Sequence, residues 1–285
     1  MSLSWQKRVR YLVEAFFIYF FYFLFKSFRI ETSSALGGRL LRFIGTILKE
    51  NMVMEKNIQL CFPNIDTEHR KKLILDTWQH FGSIIGELPH WHKMPKEEFF
   101  DRVQIINPEN IPSSKALLIS AHIGNWELIS RLAKEHNLDL SLVYRPSNNP
   151  YANRLINKLR DSFDVSLIAT GVPGVREIVR DLKKNKTVGL MVDQKISDGI
   201  AVPFFKKKAM TTALPATLAL KYQVPIVMAK IIRTGDTRYY AKFYKPLVIT
   251  PKDTKLSIMT KINGVLENWV KESPNQWFWF HNRWK

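Results

Sequence analysis

The strongest constraint on the fold is an alternation of strand-like and helical segments between residues 115 and 249. The strand-like runs are KALLISA (115–121), LSLVY (140–144), VSLIAT (165–170), TVGLMVD (187–193), PIVMAKII (225–232) and YYAKFYKPLVI (239–249). Helical periodicity lies around 125–136, 150–163, 174–184 and 214–223, and a long loop is expected from 194 to 213. The pattern predicts an α/β fold with a mixed, largely parallel sheet covered by helices, and functional residues at the carboxyl ends of its strands.

The remaining sequence adds a helical region before this core. Residues 31–95 are predicted to be helical, with Thr67 as an N-cap, and residues 115–285 to form the α/β core. The length of 285 residues allows one or two domains. The composition, with 46% hydrophobic and 24% charged residues, excludes a long disordered protein.

A histidine and a glutamate follow the first strand of the core in SAHIGNWELI (120–129). On one helix, a spacing of five residues would place them about 140° apart. We therefore expect His122 to leave the strand and Glu127 to lie in the first helical turn, with Gly124 or Asn125 as the cap. The pair suits general-base activation of a hydroxyl. The spacing alone equally permits a buried histidine beside a helix-stabilising glutamate.

The N-terminus is predicted to be a membrane anchor. YLVEAFFIYFFYFLF (11–25) is interrupted only by Glu14 and has basic residues on both sides. As a helix it is about 22 Å long, which is shorter than the hydrocarbon core of a bilayer at roughly 30 Å. It therefore either crosses the membrane with little length to spare or lies in the interface. A cleaved signal peptide, with SSA (33–35) as a poor cleavage site, and a buried soluble helix are the alternatives. We assign residues 1–30 to the anchor.

The net charge of +18 indicates a phosphate-rich partner, which is nucleic acid, anionic lipid or an acidic carrier protein. Attachment of the predicted anchor to a membrane accounts for part of this basic charge. One cysteine, Cys61, excludes an internal disulfide and is expected to be a buried thiol. No metal is expected, because the histidines of HWH (90–92) and His80 lack carboxylates at a ligand spacing.

KKK (206–208) is expected to be a solvated loop or to contact the carrier protein or lipid head groups, and WFWFHNRW (277–284) to be an aromatic belt or a packing element.

AHIGNWEL resembles the histidine–acid motif of the lysophospholipid acyltransferase superfamily, in the form found in bacterial lipid A secondary acyltransferases, the lauroyl and myristoyl transferases. Other blocks resemble that family in the same order: NIQLCFPN (57–64), YRPSNNP (144–150), VGLMVDQ (188–194), VPFFKKKAMTTALPATLA (202–219) and PNQWFWFHNRW (274–284). The resemblance extends over nearly the whole chain.

The resemblance implies a fold like that of glycerol-3-phosphate acyltransferase. It also implies transfer of a fatty acyl chain from acyl carrier protein to a hydroxyacyl chain of a lipid A precursor, without a cofactor or a covalent enzyme intermediate. The expected location is the bacterial inner membrane, with the active site facing the cytoplasm and phospholipid around the anchor. His122 matches the general base and Glu127 the carboxylate that orients it, and Asn125 is expected to add a hydrogen bond.

Further substrate-binding residues are expected on later segments. Arg145 and Arg160 match family arginines and suit phosphate. Asn149 is expected to cap a helix whose first residue is Pro150, on which Arg154 lies about 120° from Arg160. Asp193 and Gln194 end a strand at the edge of the sheet where functional residues are expected. Two alternatives remain open. One is an acyltransferase for another glycolipid or phospholipid acceptor, and the other is a basic, membrane-bound binding protein without catalysis.

Overall fold

A computed structural model describes residues 4–284. The α-helices of this range are α1 (Trp5–Lys26), α2 (Ile30–Gly45), α3 (Glu50–Cys61), α4 (Thr67–Glu87), α5 (Lys96–Arg102), α6 (Leu128–Glu135), α7 (Pro150–Asp161), α8 (Val172–Lys183), α9 (Leu214–Tyr222) and α10 (Lys255–Glu272). The strands are β1 (Val103–Ile106), β2 (Leu117–Ser120), β3 (Leu140–Tyr144), β4 (Ser166–Ala169), β5 (Thr187–Met191), β6 (Ile200–Phe204), β7 (Lys207–Thr211), β8 (Ile226–Arg233) and β9 (Tyr239–Phe243).

Seven strands form one mostly parallel sheet. Their order is β1-β9-β8-β2-β5-β3-β4, and the pairing of β8 with β9 is the antiparallel one. Helices connect the parallel strands, as such crossovers require. The α/β class and the largely parallel sheet predicted from the sequence are confirmed. The sheet places the carboxyl end of β2, which precedes His122, next to the carboxyl end of β5, which precedes Asp193.

The sheet is covered on both faces. Leu117 and Ile119 of β2 belong to one buried apolar cluster that includes Ile262 of α10. Leu118, between them, belongs to a second cluster that includes Leu132 of α6. Successive side chains of a strand point to opposite faces, and a strand that is buried on both sides therefore has a continuous apolar run. This is why LLIS shows no alternation of apolar and polar residues.

Two local predictions were wrong. The expected loop from 194 to 213 contains β6 and β7, a hairpin whose turn residues Phe205 and Lys206 both have positive φ, 51° and 60°. That turn normally uses Gly, Asn or Asp, so Phe-Lys gives no hairpin signal. Asp66, not Thr67, is the N-cap of α4, and its carboxylate accepts a hydrogen bond from the backbone N–H of His69 at 2.9 Å.

Helices α2 and α4 pack with their backbones almost in contact. A Cβ atom on Gly37 would lie 2.3 Å from the carbonyl oxygen of Gly82, and a Cβ atom on Gly82 would lie 2.2 Å from that of Gly37. Neither distance is compatible with a side chain, and glycine is therefore required on both helices. Next to this contact, the buried Glu87 of α4 accepts hydrogen bonds from Ser34 at 2.6 Å and from Tyr239 at 2.5 Å.

Helix α1 contacts the core along one side and exposes aromatic side chains along the other. Tyr11 and Ala15 are buried, whereas Phe16 and Phe23 are 65% and 59% exposed. The side chain of Asn149 donates hydrogen bonds to the carbonyl oxygen of Tyr11 at 3.0 Å and to the carboxylate of Glu14 at 2.9 Å. Within residues 4–284, no helix combines the length and the apolar character that a membrane crossing requires.

Candidate active site

The segment from His122 to Asn125 continues from β2 and is held between two other segments. Gly124 forms a parallel bridge with Ile231 of β8, and the backbone N–H of Asn125 donates to the carbonyl oxygen of Ile231 at 3.2 Å. Gly124 has a φ of +58°, and a Cβ atom there would lie 1.7 Å from that same oxygen. This close approach in left-handed backbone explains the glycine two residues after the histidine. We call residues 122–125 the motif loop.

His122 is bound by Asp193. Its Nδ1 lies 2.8 Å from Oδ1 of Asp193, and its backbone N–H donates to Oδ2 of the same carboxylate at 3.0 Å. The side chain of Asp193 is 2% exposed and that of His122 is 22% exposed. Within the described residues, Nε2 of His122 has no hydrogen-bond partner. One imidazole nitrogen is therefore held in the interior, and the other remains available to a substrate.

The charges of the pair favour an ionised Asp193. Burial would raise the pKa of Asp193, but the charge and hydrogen bonds of His122 and the indole N–H of Trp277 hold it below its usual range. Burial would lower the pKa of His122, but the charge of Asp193 and the hydrogen bond to it outweigh burial and raise it. An ionised carboxylate accepts the proton of Nδ1 and thereby fixes the tautomer in which Nε2 can accept a proton.

Glu127 occupies a different place from the one predicted. The carboxylate accepts two hydrogen bonds from the guanidinium of Arg160, at 2.8 and 3.1 Å, and one from the indole N–H of Trp126 at 3.1 Å. It is the N-cap residue of α6, which begins one residue later, so it lies just before the first helical turn. The predicted hydrogen bond between His122 and Glu127 is therefore replaced by two separate pairs, His122–Asp193 and Glu127–Arg160.

The two pairs are electrostatically coupled. The negative charge of Glu127 contributes to the raised pKa of His122, whereas the positive charge of Arg160 acts against it. Burial would lower the pKa of Arg160, but the charge of Glu127 raises it. Arg160 thus remains a cation beside His122, and its guanidinium lies 5.8 Å from the ring centre of Tyr144.

The other predicted residues lie at different depths. Asn125 is 1% exposed, and within the described residues its side-chain amide has no hydrogen-bond partner, so the hydrogen bond expected from it stays a prediction. Arg145 is exposed after β3, and Gln194 is half-buried directly after Asp193. The helix cap predicted for Asn149 is confirmed, with Pro150 as the first helical residue.

The aromatic C-terminal segment also reaches the site, which was not predicted from its sequence. The backbone N–H of Phe278 donates to the carbonyl oxygen of His122 at 2.9 Å, and that of Gly124 donates to Gln276 at 3.0 Å. The ring of Phe278 lies 6.0 Å from the imidazole, and Trp126 lies 5.2 Å from it on another side. The imidazole of His122 therefore lies among aromatic rings. The signal in the sequence was the run WFWF, which by composition alone is equally typical of a membrane belt.

Comparison with known protein families identifies the chain. A family model described as bacterial lipid A biosynthesis acyltransferase matches residues 3–285. The chain belongs to this family. Membership supports acyl transfer in lipid A biosynthesis, and the family resemblance inferred from the sequence motifs is confirmed.

The individual relatives of this lipid A acyltransferase are distant from it in sequence. It is 25% identical over 259 residues to a lipid A biosynthesis lauroyltransferase of Escherichia coli K12, covering 88% of this chain and 83% of the relative. It is 24% identical over 259 residues to a lipid A biosynthesis palmitoleoyltransferase of the same strain, covering 88% and 84%. A crystal structure of the 1-acyl-sn-glycerophosphate acyltransferase PlsC from Thermotoga maritima aligns with a TM-score of 0.41 and 17% identity, over 95% of this chain and 99% of that one.

Proposed function

We propose that this acyltransferase moves a fatty acyl chain from acyl carrier protein to the hydroxyl of a hydroxyacyl chain on a lipid A precursor, with His122 as the general base. One observation carries the proposal. Nδ1 of His122 is held by a buried carboxylate while Nε2 remains open on the substrate side. This arrangement produces a base for a neutral hydroxyl group.

The reaction needs no group beyond those of the site. Nε2 of neutral His122 takes the proton of the acceptor hydroxyl as the oxygen attacks the thioester carbonyl. The tetrahedral intermediate then collapses, the carbon–sulfur bond breaks, and the imidazolium returns the proton to the thiolate that leaves. Asp193 stabilises the imidazolium between the two proton transfers, as its 2.8 Å contact with Nδ1 allows.

Arg160 supplies positive charge beside the base. Glu127 holds it through two hydrogen bonds that use Nε and Nη2. Within the described residues Nη1 has no such partner, so one side of the guanidinium is available to an anionic group of the substrate or to the developing oxyanion. In this proposal Glu127 acts by fixing Arg160, and Asp193 takes the orienting role that the family resemblance assigned to Glu127.

Helix α1 is proposed to hold the enzyme at the membrane where the lipid A precursor resides. Its exposed phenylalanines and the basic residues around them suit an anionic lipid interface. Asn149, which caps α7, binds α1 directly, so the membrane helix lies against the element that carries Arg160. We further propose that the site opens to the cytoplasmic side, where carrier protein thioesters are available.

The test is incubation of the purified full-length protein with a panel of acyl carrier protein thioesters and a tetra-acylated lipid A precursor, followed by mass analysis of the lipid. We expect one added acyl chain with the wild-type protein and at least about a 100-fold loss of rate with His122→Ala. The control is His69→Ala, because the side chain of His69 is 74% exposed. Full activity of His122→Ala, or no acylation of this acceptor by the wild-type protein, would refute the proposal.

A further inference from the structure

The end of the chain forms a strap across the motif loop. We define the C-terminal strap as residues 274–280. It pairs with the loop through an antiparallel bridge between Ile123 and Trp277, and the side-chain amide of Gln276 exchanges two 2.9 Å hydrogen bonds with the backbone of Arg233. The loop therefore lies between β8 and the strap, with backbone hydrogen bonds on both sides.

One side chain of the strap reaches the catalytic carboxylate. The indole N–H of Trp277 donates to Oδ2 of Asp193 at 2.9 Å. Trp277 is 3% exposed, and its ring packs against Phe204 at 5.8 Å and Trp279 at 4.6 Å between ring centres. Tight packing on these sides fixes the direction of the N–H. The donor is therefore presented to the carboxylate in one orientation.

One of the hydrogen-bond donors to Asp193 lies outside the motif loop. His122 itself supplies two of the donors, from Nδ1 and from its backbone N–H. Within residues 4–284, the third donor is the indole of Trp277. Without it, Oδ2 of a buried, charged carboxylate would lose one of its two donors, and His122 alone would hold the carboxylate.

We infer that Trp277 is a positioning residue for the reaction: its N–H holds the carboxylate of Asp193, which in turn holds His122 in the tautomer that leaves Nε2 free. The inference rests on the proposed role of His122 as the base. It assigns the C-terminal aromatic segment a part in catalysis that is separate from packing. It also places a determinant of the site more than 80 residues after Asp193 in the sequence.

The test compares Trp277→Phe with Trp279→Phe. Both substitutions remove an indole N–H from a buried ring of the same cluster, but Trp279 donates to the carbonyl oxygen of Pro274 and not to Asp193. For Trp277→Phe we expect kcat to fall about tenfold with little change in KM, the effect of one lost hydrogen bond. The less stabilised carboxylate attracts the imidazolium proton more strongly, so the pKa of His122 should rise by about half a unit.

Two readouts separate positioning from a loss of stability. The pH profile of kcat should shift to higher pH in Trp277→Phe and remain in place in Trp279→Phe. The same shift should appear when His122 is titrated by nitrogen-15 NMR with labelled histidine. That titration needs no turnover, so it tests Trp277 even if His122→Ala were to retain activity and refute the proposed function. Equal profiles for the two variants and the wild-type protein would overturn the inference.

A second variant tests the inference even if Trp277→Phe fails to fold. Benzothienylalanine at position 277 keeps the bicyclic shape of tryptophan and replaces the N–H with sulfur. It should lower kcat by about tenfold, the same loss that we expect for Trp277→Phe. In an Asp193→Asn background the same replacement should have almost no further effect, because the indole acts through Asp193. An equal loss of kcat in both backgrounds would show that Trp277 acts by another route.

Discussion

At the residue scale, the site depends on which carboxylate contacts which cation. Asp193 is nearly inaccessible to solvent and contacts the imidazole through Nδ1, whereas Glu127 contacts the guanidinium of Arg160. A buried carboxylate beside a histidine stabilises the imidazolium and selects one tautomer of the neutral ring. Asp193 therefore has the larger effect on the base, and Glu127 acts on the cation next to it.

Asp193→Asn tests this division. The substitution removes the negative charge that raises the pKa of His122, so the pKa should fall and the acid limb of the kcat profile should move to lower pH. The amide also no longer enforces the productive tautomer, and kcat should drop about 100- to 10,000-fold. The measurement is the pH dependence of single-turnover rates. An acid limb that stays in place would show that Asp193 does not control the base.

The pairing of Glu127 with Arg160 is tested by a double-mutant cycle. Glu127→Gln and Arg160→Gln each leave one charged group of a partly buried pair without its partner, and the double variant removes both charges. The free energy of unfolding should therefore be non-additive by about 1–3 kcal/mol. Arg154→Gln is the control, because Arg154 is exposed on the same helix. Additive losses for Glu127 and Arg160 would contradict the pairing.

The sequence predicted the members of the site better than their contacts. His122 and Asp193 were expected there because each follows a strand at the same edge of the sheet, and Arg160 because it matches an arginine of the family. Their pairing could not be predicted, because it depends on β2 and β5 being neighbours, which brings residues 71 positions apart into contact. A five-residue spacing suggested the wrong acid for the histidine. The contact of Trp277 with Asp193 could not be predicted for the same reason, because the two residues are far apart in the sequence.

At the element scale, the helical N-terminal part is held together by the close contact of α2 with α4. Carbonyl oxygens of each helix occupy the space that a Cβ atom of the other would need. Such an approach gains dispersion contacts between backbones but tolerates no added methyl group. The glycines and serines of α2 are visible in the sequence. Their partner helix was not predictable, because a stripe of small residues does not identify the surface that it contacts.

Gly82→Ala tests this contact. The added methyl group would lie 2.2 Å from the carbonyl oxygen of Gly37, so the helices must separate, and the free energy of unfolding should fall by about 1–3 kcal/mol. Gly264→Ala is the matched control, because nothing lies within 4 Å of its added Cβ atom. That substitution lies inside α10 and should raise stability by about 0.5–1 kcal/mol. Chemical denaturation measures both. Equal changes would contradict the close packing.

At the scale of the whole molecule, the exposed aromatic side of α1 is the largest departure from an ordinary protein surface. Five phenylalanines between residues 16 and 28 are exposed, namely Phe16, Phe17, Phe20, Phe23 and Phe28, and the chain has a net charge of +18. The sequence predicted the apolar helix but not which of its sides would contact the core. That choice is made by tertiary contacts such as those from Asn149 to α1.

Replacing Phe16, Phe20 and Phe23 with serine tests the membrane role of α1. These side chains are 65%, 50% and 59% exposed, so the fold should survive, whereas sedimentation with anionic phospholipid vesicles should weaken at least about tenfold. Val172→Ser with Val248→Ser is the control, because both valines are exposed on other elements, at 72% and 75%. Equal binding by the two variants would place the membrane contact elsewhere.

The central claim is that neutral His122, held by Asp193, takes the proton of the acceptor hydroxyl. The most direct test measures the pKa of His122 by nitrogen-15 NMR and compares it with the midpoint of the acid limb of kcat in the same protein. We expect the two values to coincide above about 6.5, the usual value for histidine, because Asp193 raises this pKa. Activity should then increase as the pH rises through that value. A kinetic midpoint that differs from the pKa of His122 by a full unit, or a pKa of His122 below the usual value, would contradict the account.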